Sequence, residues 1–234
     1  MSEIVSFRLE GKTAVVTMDD GKANALSEAM IDAVTAALSR AEAEASAMVL
    51  AGRTERFCAG FDLRVMMSGP QQATALLTRG SEMLMRLYGA AVPLVIACTG
   101  HALAGGALTV LTGDVRIAAA GPFKIGLNEV SIGIPVPVLA MELARDRLAS
   151  AALTRATLLA HVHTPEEALA AGFVDEVVAP DQVLPRALAQ AAQLAALGRT
   201  PFRATKERLR GRTIAHIRDS LAADMKSIMS LAGS

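Results

Sequence analysis

The chain has 234 residues, 52% of them hydrophobic, and a mean hydropathy of +0.39, which excludes a disordered polymer and gives enough length for one sizeable core. Its 23 basic and 23 acidic residues cancel, and aromatic residues make up 3%, with no Trp and one Tyr. Neither a nucleic acid nor a membrane is therefore expected as a partner: there is no net charge to attract one and no aromatic platform for single strands.

In chain order, residues 4–9 and 13–18 are short β-rich runs around Glu10-Gly11-Lys12, the pattern of a hairpin. Ser27 predicts a helix N-cap, and apolar residues at 30, 31, 34, 37 and 38 carry that helix to about residue 45. Residues 47–51 predict a buried strand closed by Gly52. A loop then holds RFCAGFDL at residues 56–63, a helix covers about 70–90, and a strand over 94–99 follows Pro93. A Gly-rich turn leads into a helix at 105–112 and a strand at 114–119. Such alternation predicts an α/β fold with a largely parallel, buried sheet. Beyond residues 173–178 the chain is Ala-rich, with helices expected at about 181–197, 201–211 and 213–231, punctuated by Gly198, Pro201 and Gly211. The division read from this is an α/β core over 1–180 and a helical subdomain over 181–234.

Cys58 and Cys98 belong to no CxxC and no metal-spaced cluster, so two buried thiols in a reducing cytoplasm are expected and no metal site. The start lacks a basic region followed by an apolar run, and residues 102–113 are too short and Gly-rich to span a bilayer, which points to a cytoplasmic location.

Two glycine-bearing turns could expose backbone N–H groups at strand ends: Cys58-Ala59-Gly60-Phe61-Asp62-Leu63, and residues 99–106 running into a helix. Aimed at one point, they would make an oxyanion hole. Each taken alone reads equally as a tight turn with close packing. Neither is a GxGxxG or a P-loop.

Together, RFCAGFDL, TGHALAGGALTVLTGDVRIA and FKIGLNEVSIGIP, with GKANALS upstream, resemble the crotonase (enoyl-CoA hydratase/isomerase) superfamily. The resemblance runs in order over nearly the whole chain. It implies a spiral of ββα units with a C-terminal helical region, assembled as a homotrimer or a dimer of trimers. It implies an acyl-CoA thioester as substrate, with coenzyme A part of that substrate and no separate cofactor. By position, the oxyanion donors would be the N–H groups of Phe61 and Gly105, and the coenzyme would lie along Lys22, Ala23, Ala59, Asp62 and Leu63.

Hydratases of this family use two glutamates. One falls three residues after the oxyanion glycine, and here that position is Leu108; the other corresponds to Glu129. Water addition needs one group to activate water and a means to protonate C2, whereas moving a double bond needs one proton shuttle. The pattern is therefore most similar to the Δ3,Δ2-enoyl-CoA isomerase branch, with Glu129 as the acid/base and Leu108 raising its pKa. The alternatives are a 2-enoyl-CoA hydratase using Glu129 with another acid such as Glu82, and an acyl-CoA-binding homologue without turnover.

Other residues read as structural. His101 suits a hydrogen-bonded packing role. His161 and His163 lack a third ligand. Cys58 has no evident base beside it. Asp62 suits ordering of its loop, and Asp114 capping of a turn. Arg203, Lys206, Arg208, Arg210 and Arg212 form a basic stretch, expected as a solvated helix face, with contact to coenzyme phosphates as the functional reading. Met66, Met67, Met83 and Met85 are core residues, or walls of a flexible acyl pocket.

Overall fold

The computed structural model describes residues 4–232. β1 (Val5–Glu10) and β2 (Thr13–Met18) form an antiparallel hairpin, with Val5 opposite Met18 and Glu10 opposite Thr13. Gly11 turns the chain with φ +60. α1 (Glu28–Glu44) starts at Ser27, whose side chain accepts from Met30 N, and buries Met30, Ile31, Val34, Ala37, Leu38 and Ala41 at helical spacing. Next come β3 (Ala47–Ala51), β4 (Glu55–Cys58), the short α2 (Leu63–Met66) and α3 (Pro70–Tyr88). β5 (Leu94–Cys98), β6 (Gly100–Leu103), α4 (Gly105–Leu111), β7 (Val115–Ala119) and β8 (Ile125–Gly126) follow. The remainder is α5 (Val138–Arg147), α6 (Leu153–Ala156), α7 (Pro165–Ala171), β9 (Glu176–Val178), α8 (Val183–Leu194) and α9 (Arg199–Ala232).

Two sheets result. Six strands run in the order β1-β2-β3-β5-β7-β9, parallel after the first pair, and a three-stranded parallel sheet has the order β4-β6-β8. β3 and β5 are buried at every residue, which is why they read as continuous apolar runs rather than alternating ones. α8 packs on one face of the larger sheet: Val183, Ala187 and Ala191 join Val49, Val95 and Ile117 in one apolar cluster. The larger core lies on the other face, among α1, α3, α4 and α5.

Two expectations need correction. Residues 56–58 and 100–103, read as parts of a loop and a turn, belong to strands β4 and β6; each strand is four residues long, too short to show a periodic signal. The expected helices at 201–211 and 213–231 are one continuous helix, α9. Gly211 does not break it: a Cβ there would meet nothing closer than Glu207 Cγ at 3.9 Å, and the helix is anchored on both sides by buried residues.

Two members of the basic stretch depart from the expected solvated helix face. Lys206 and Arg210 are buried. Lys206 Nζ lies 2.6 Å and an Arg210 guanidinium nitrogen 3.0 Å from the Asp114 carboxylate. Arg210 also donates to the carbonyls of Tyr88 and Thr112, and Leu94 N to Asp114 Oδ2. This cluster pins α9 to the foot of β5. Burial lowers the Lys206 pKa to about 8, against the pull of Asp114. Arg203, Arg208 and Arg212 are exposed.

Candidate active site

Close backbone approach brings the two glycine-bearing turns together. A Cβ on Gly106 would fall 2.0 Å from the Cys58 carbonyl oxygen, so only glycine lets α4 rest on the end of β4. A Cβ on Gly60 would lie 3.3 Å from Gly105 N. The Phe61 ring fills the space beside Gly105 and is seated against Gly80 of α3, where a Cβ would meet it at 2.2 Å.

Both N–H groups in question are unspent. The bridge between Leu26 and Phe61 uses Leu26 N donating to Gly60 O and Asp62 N donating to Leu26 O, and passes over Phe61 N. Gly105 is the first residue of α4, too early for an intrahelical bond. Ala104 before it has φ 47 and ψ −120, a conformation an alanine adopts only under constraint. Its N–H donates to Gly126 O, which fixes the turn against β8. Ala104 is the residue that aims the α4 terminus, and nothing in its identity announces it.

The first turn is held from the other side by Asn24, buried and at φ 52. Its Nδ2 donates to the carbonyls of Met18, Arg56 and Phe57, and its Oδ1 accepts from Asp20 N. Asn tolerance of this conformation was the available signal. Ala59 N is spent on Ala23 O, so these two residues hold one another. Asp62 caps α2, its Oδ1 accepting from Arg64 N at 2.9 Å; burial pushes its carboxyl up, and the combined hydrogen bonds and charge of Arg64 outweigh that and draw it below the usual range.

A cavity of about 290 Å³ opens between these turns and the C-terminal helix. Ala59, Phe61, Leu63, Leu103, Ala104, Leu108 and Glu129 line it, with Met66, Leu77, Asn128, Ile132, Ile134, Pro137 and Ile228 completing the wall. Of the coenzyme-side residues, Ala59 and Leu63 reach it, whereas Lys22, Ala23 and Asp62 stand outside. Gly105 is not among the lining residues, and the Phe61 ring lies beside it. Glu82 is on the exposed face of α3 and away from the cavity, so it is not a second acid for this site. Met66 is a wall residue, Met67 is 85% exposed, and Met83 and Met85 belong to the core.

Glu129 is the one ionisable side chain among the described residues that line the cavity. It is 6% exposed, and its Oε2 has no hydrogen-bond partner. Burial pushes its carboxyl up to about 7, against a smaller downward pull from its own backbone N–H. Leu108, one turn along α4 from Gly105, supplies hydrocarbon to the same cavity. Asn128 Oδ1, beside Glu129, is also buried without a partner. The arrangement combines two free N–H donors, one proton-carrying group near neutrality and an apolar enclosure: the parts needed to form and quench an enolate.

The residues set aside behave structurally. Cys58 and Cys98 are free thiols that burial pushes up to about 12. His101 Nδ1 accepts from Lys124 N, and its ring meets Phe123 edge-on. His161 and His163 meet edge-on with ring centroids 4.6 Å apart, and no group of three or more metal-capable side chains exists among the described residues. No helix among those residues is long and apolar enough to cross a membrane.

A family model for enoyl-CoA hydratase/isomerase matches residues 8–232. Human mitochondrial enoyl-CoA delta isomerase 1 is 32% identical over 222 residues, 93% of this chain and 74% of that protein. A putative enoyl-CoA hydratase from Thermus thermophilus is 32% identical over 207 residues, 86% of this chain and 81% of that protein. Among solved structures, a Mycobacterium tuberculosis protein described both as an enoyl-CoA isomerase and as a probable enoyl-CoA hydratase has, in its apo isomerase structure, a TM-score of 0.91 at 41% identity, covering 96% of this chain and 100% of that one. Human mitochondrial Δ3,Δ2-enoyl-CoA isomerase has a TM-score of 0.93 at 30% identity, covering 97% and 91%.

Proposed function

The chain belongs to the enoyl-CoA hydratase/isomerase family, and from that membership we propose that it moves the double bond of a 3-enoyl-CoA to the 2-position, in fatty-acid metabolism. The observation that carries this reading is the solitary Glu129 in an otherwise ion-free cavity, with Leu108 where a second acid would stand. The thioester oxygen would rest between the N–H groups of Phe61 and Gly105, which acidifies the C–H at C2. The Glu129 carboxylate takes that proton, the electron pair spreads over C2 to C4 and the oxygen, and the acid returns the proton at C4. Atoms balance without water, redox change or a further cofactor. A hydrocarbon wall raises the affinity of Glu129 for the proton and keeps water from competing.

The experiment is Glu129→Gln assayed on two substrates. Isomerisation of 3-hexenoyl-CoA should fall by about 10²–10⁴ in kcat/KM, and in the parent chain it should rise with pH through about 7 as the carboxyl ionises. Hydration of crotonyl-CoA should be the minor activity. Hydration exceeding isomerisation would replace this reading by the hydratase one, and full isomerase turnover in Glu129→Gln would remove it. The family resemblance also supports a homotrimer or a dimer of trimers, which light scattering on the eluting protein measures.

A further inference from the structure

The cavity and a second, larger hollow share two helices. Outside the site, α3 and α9 enclose a groove of about 800 Å³ lined by Pro70, Thr74, Thr78, Leu221, Met225 and Met229 among others. On the inner side, Leu77 of α3 and Ile228 of α9 line the catalytic cavity. What separates the two spaces is one apolar layer: Leu77, Met225 and Ile228, all buried, packed with Phe61, Met66, Ile134, Leu221 and Met229. The layer is held in place from outside, because Asp224 beside Met225 accepts a 2.7 Å bond from Val138 N at the start of α5.

We propose that Leu77, Met225 and Ile228 are specificity-determining residues: they form the end wall that limits acyl chain length, and the α3/α9 groove is the space a longer chain enters once that wall is thinned. This rests on the acyl-thioester reading of the cavity. The cavity of about 290 Å³ ends on the side chains of Leu77 and Ile228, so the length of chain it accepts is set by where those two side chains stand. The substrate class is then a short- to medium-chain enoyl-CoA. The wall joins residues about 150 positions apart in sequence, so only the folded chain reveals it.

The test is the ratio of kcat/KM for 3-hexadecenoyl-CoA to that for 3-octenoyl-CoA. In the parent chain the ratio should be about 0.1 or lower. Ile228→Ala and Leu77→Ala should each raise it at least fivefold, and adding Thr78→Trp, on the groove side, should bring it back down. Should either alanine variant fail to fold, Ile228→Val and Leu77→Val carry the same test with a smaller rise. A parent ratio near one, or a ratio unmoved in folded wall variants, overturns the proposal. A chain that hydrates 2-enoyl-CoA thioesters but isomerises none would fail the reaction assigned above instead. The length ratio read on 2-octenoyl-CoA and 2-hexadecenoyl-CoA then decides the wall on its own.

Discussion

Asp114 and Glu129 are both carboxylates withdrawn from water, and they do opposite things. Asp114 is surrounded by partners: Lys206, Arg210 and the N–H of Leu94. Glu129 has an oxygen with no partner at all and hydrocarbon around it. The first ties the last helix to the sheet. The second keeps a proton exchangeable near neutral pH. Burial is common to both, so burial does not mark a reactive acid; the number of charges and donors that answer it does.

Removing the partnered acid should do the greater structural damage. Asp114→Ala leaves Lys206 and Arg210 buried without a counter-charge and should cost about 3–5 kcal/mol in urea unfolding. A loss under 1 kcal/mol would mean that water reaches the cluster and the contrast with Glu129 is false. Glu129→Gln should behave in the reverse sense. The folded state holds this proton more tightly than the unfolded chain, so the group stabilises fully below pH 4.5, and that contribution is lost as pH rises through about 7. At 1.36 kcal/mol per pH unit, roughly 3 kcal/mol is at stake. Glu129→Gln should therefore be more stable than the parent at pH 8 by up to that amount, and the gap should close towards pH 4.5. Unfolding curves at the two pH values check it, and a gap that widens on acidification would break the comparison. The smallest effect concerns the helix that Asp114 anchors. Gly211→Ala removes backbone freedom at an open helical position and should add about 0.5–1 kcal/mol, read as a rise in Tm.

The elements with a full period of apolar residues were legible in the sequence. The Ser27 cap, α1, α3 and the buried strands β3, β5 and β7 lie where the spacing put them, because local pattern and tertiary burial agree there. The two turns were legible as candidates, since glycine at 60, 105 and 106 signals close backbone approach. What could not be read depends on distant partners. β4 and β6 exist because they pair with each other and not because of their own residues. Ala104 owes its unusual backbone to bonds with β8, and α9 runs through Gly211 because Lys206, Arg210 and Ile217 are held on either side. Glu129 could be picked out by resemblance, but its lack of partners, which gives it its chemistry, is a property of the folded neighbourhood.

The contact of Gly106 with the Cys58 carbonyl has a further meaning for how this scaffold can vary. The approach of the two turns is set by main chain resting on main chain, α4 lying against the end of β4 at Gly106. On the proposed reading, exchanging one hydrocarbon for another along the walls at Leu77, Ile134 or Ile228 would reshape what is accommodated without shifting the amides proposed to hold the carbonyl. That reading would assign recognition of the reacting group and choice of its tail to separate materials, backbone for the one and side chains for the other, and the second could drift while the first stayed fixed.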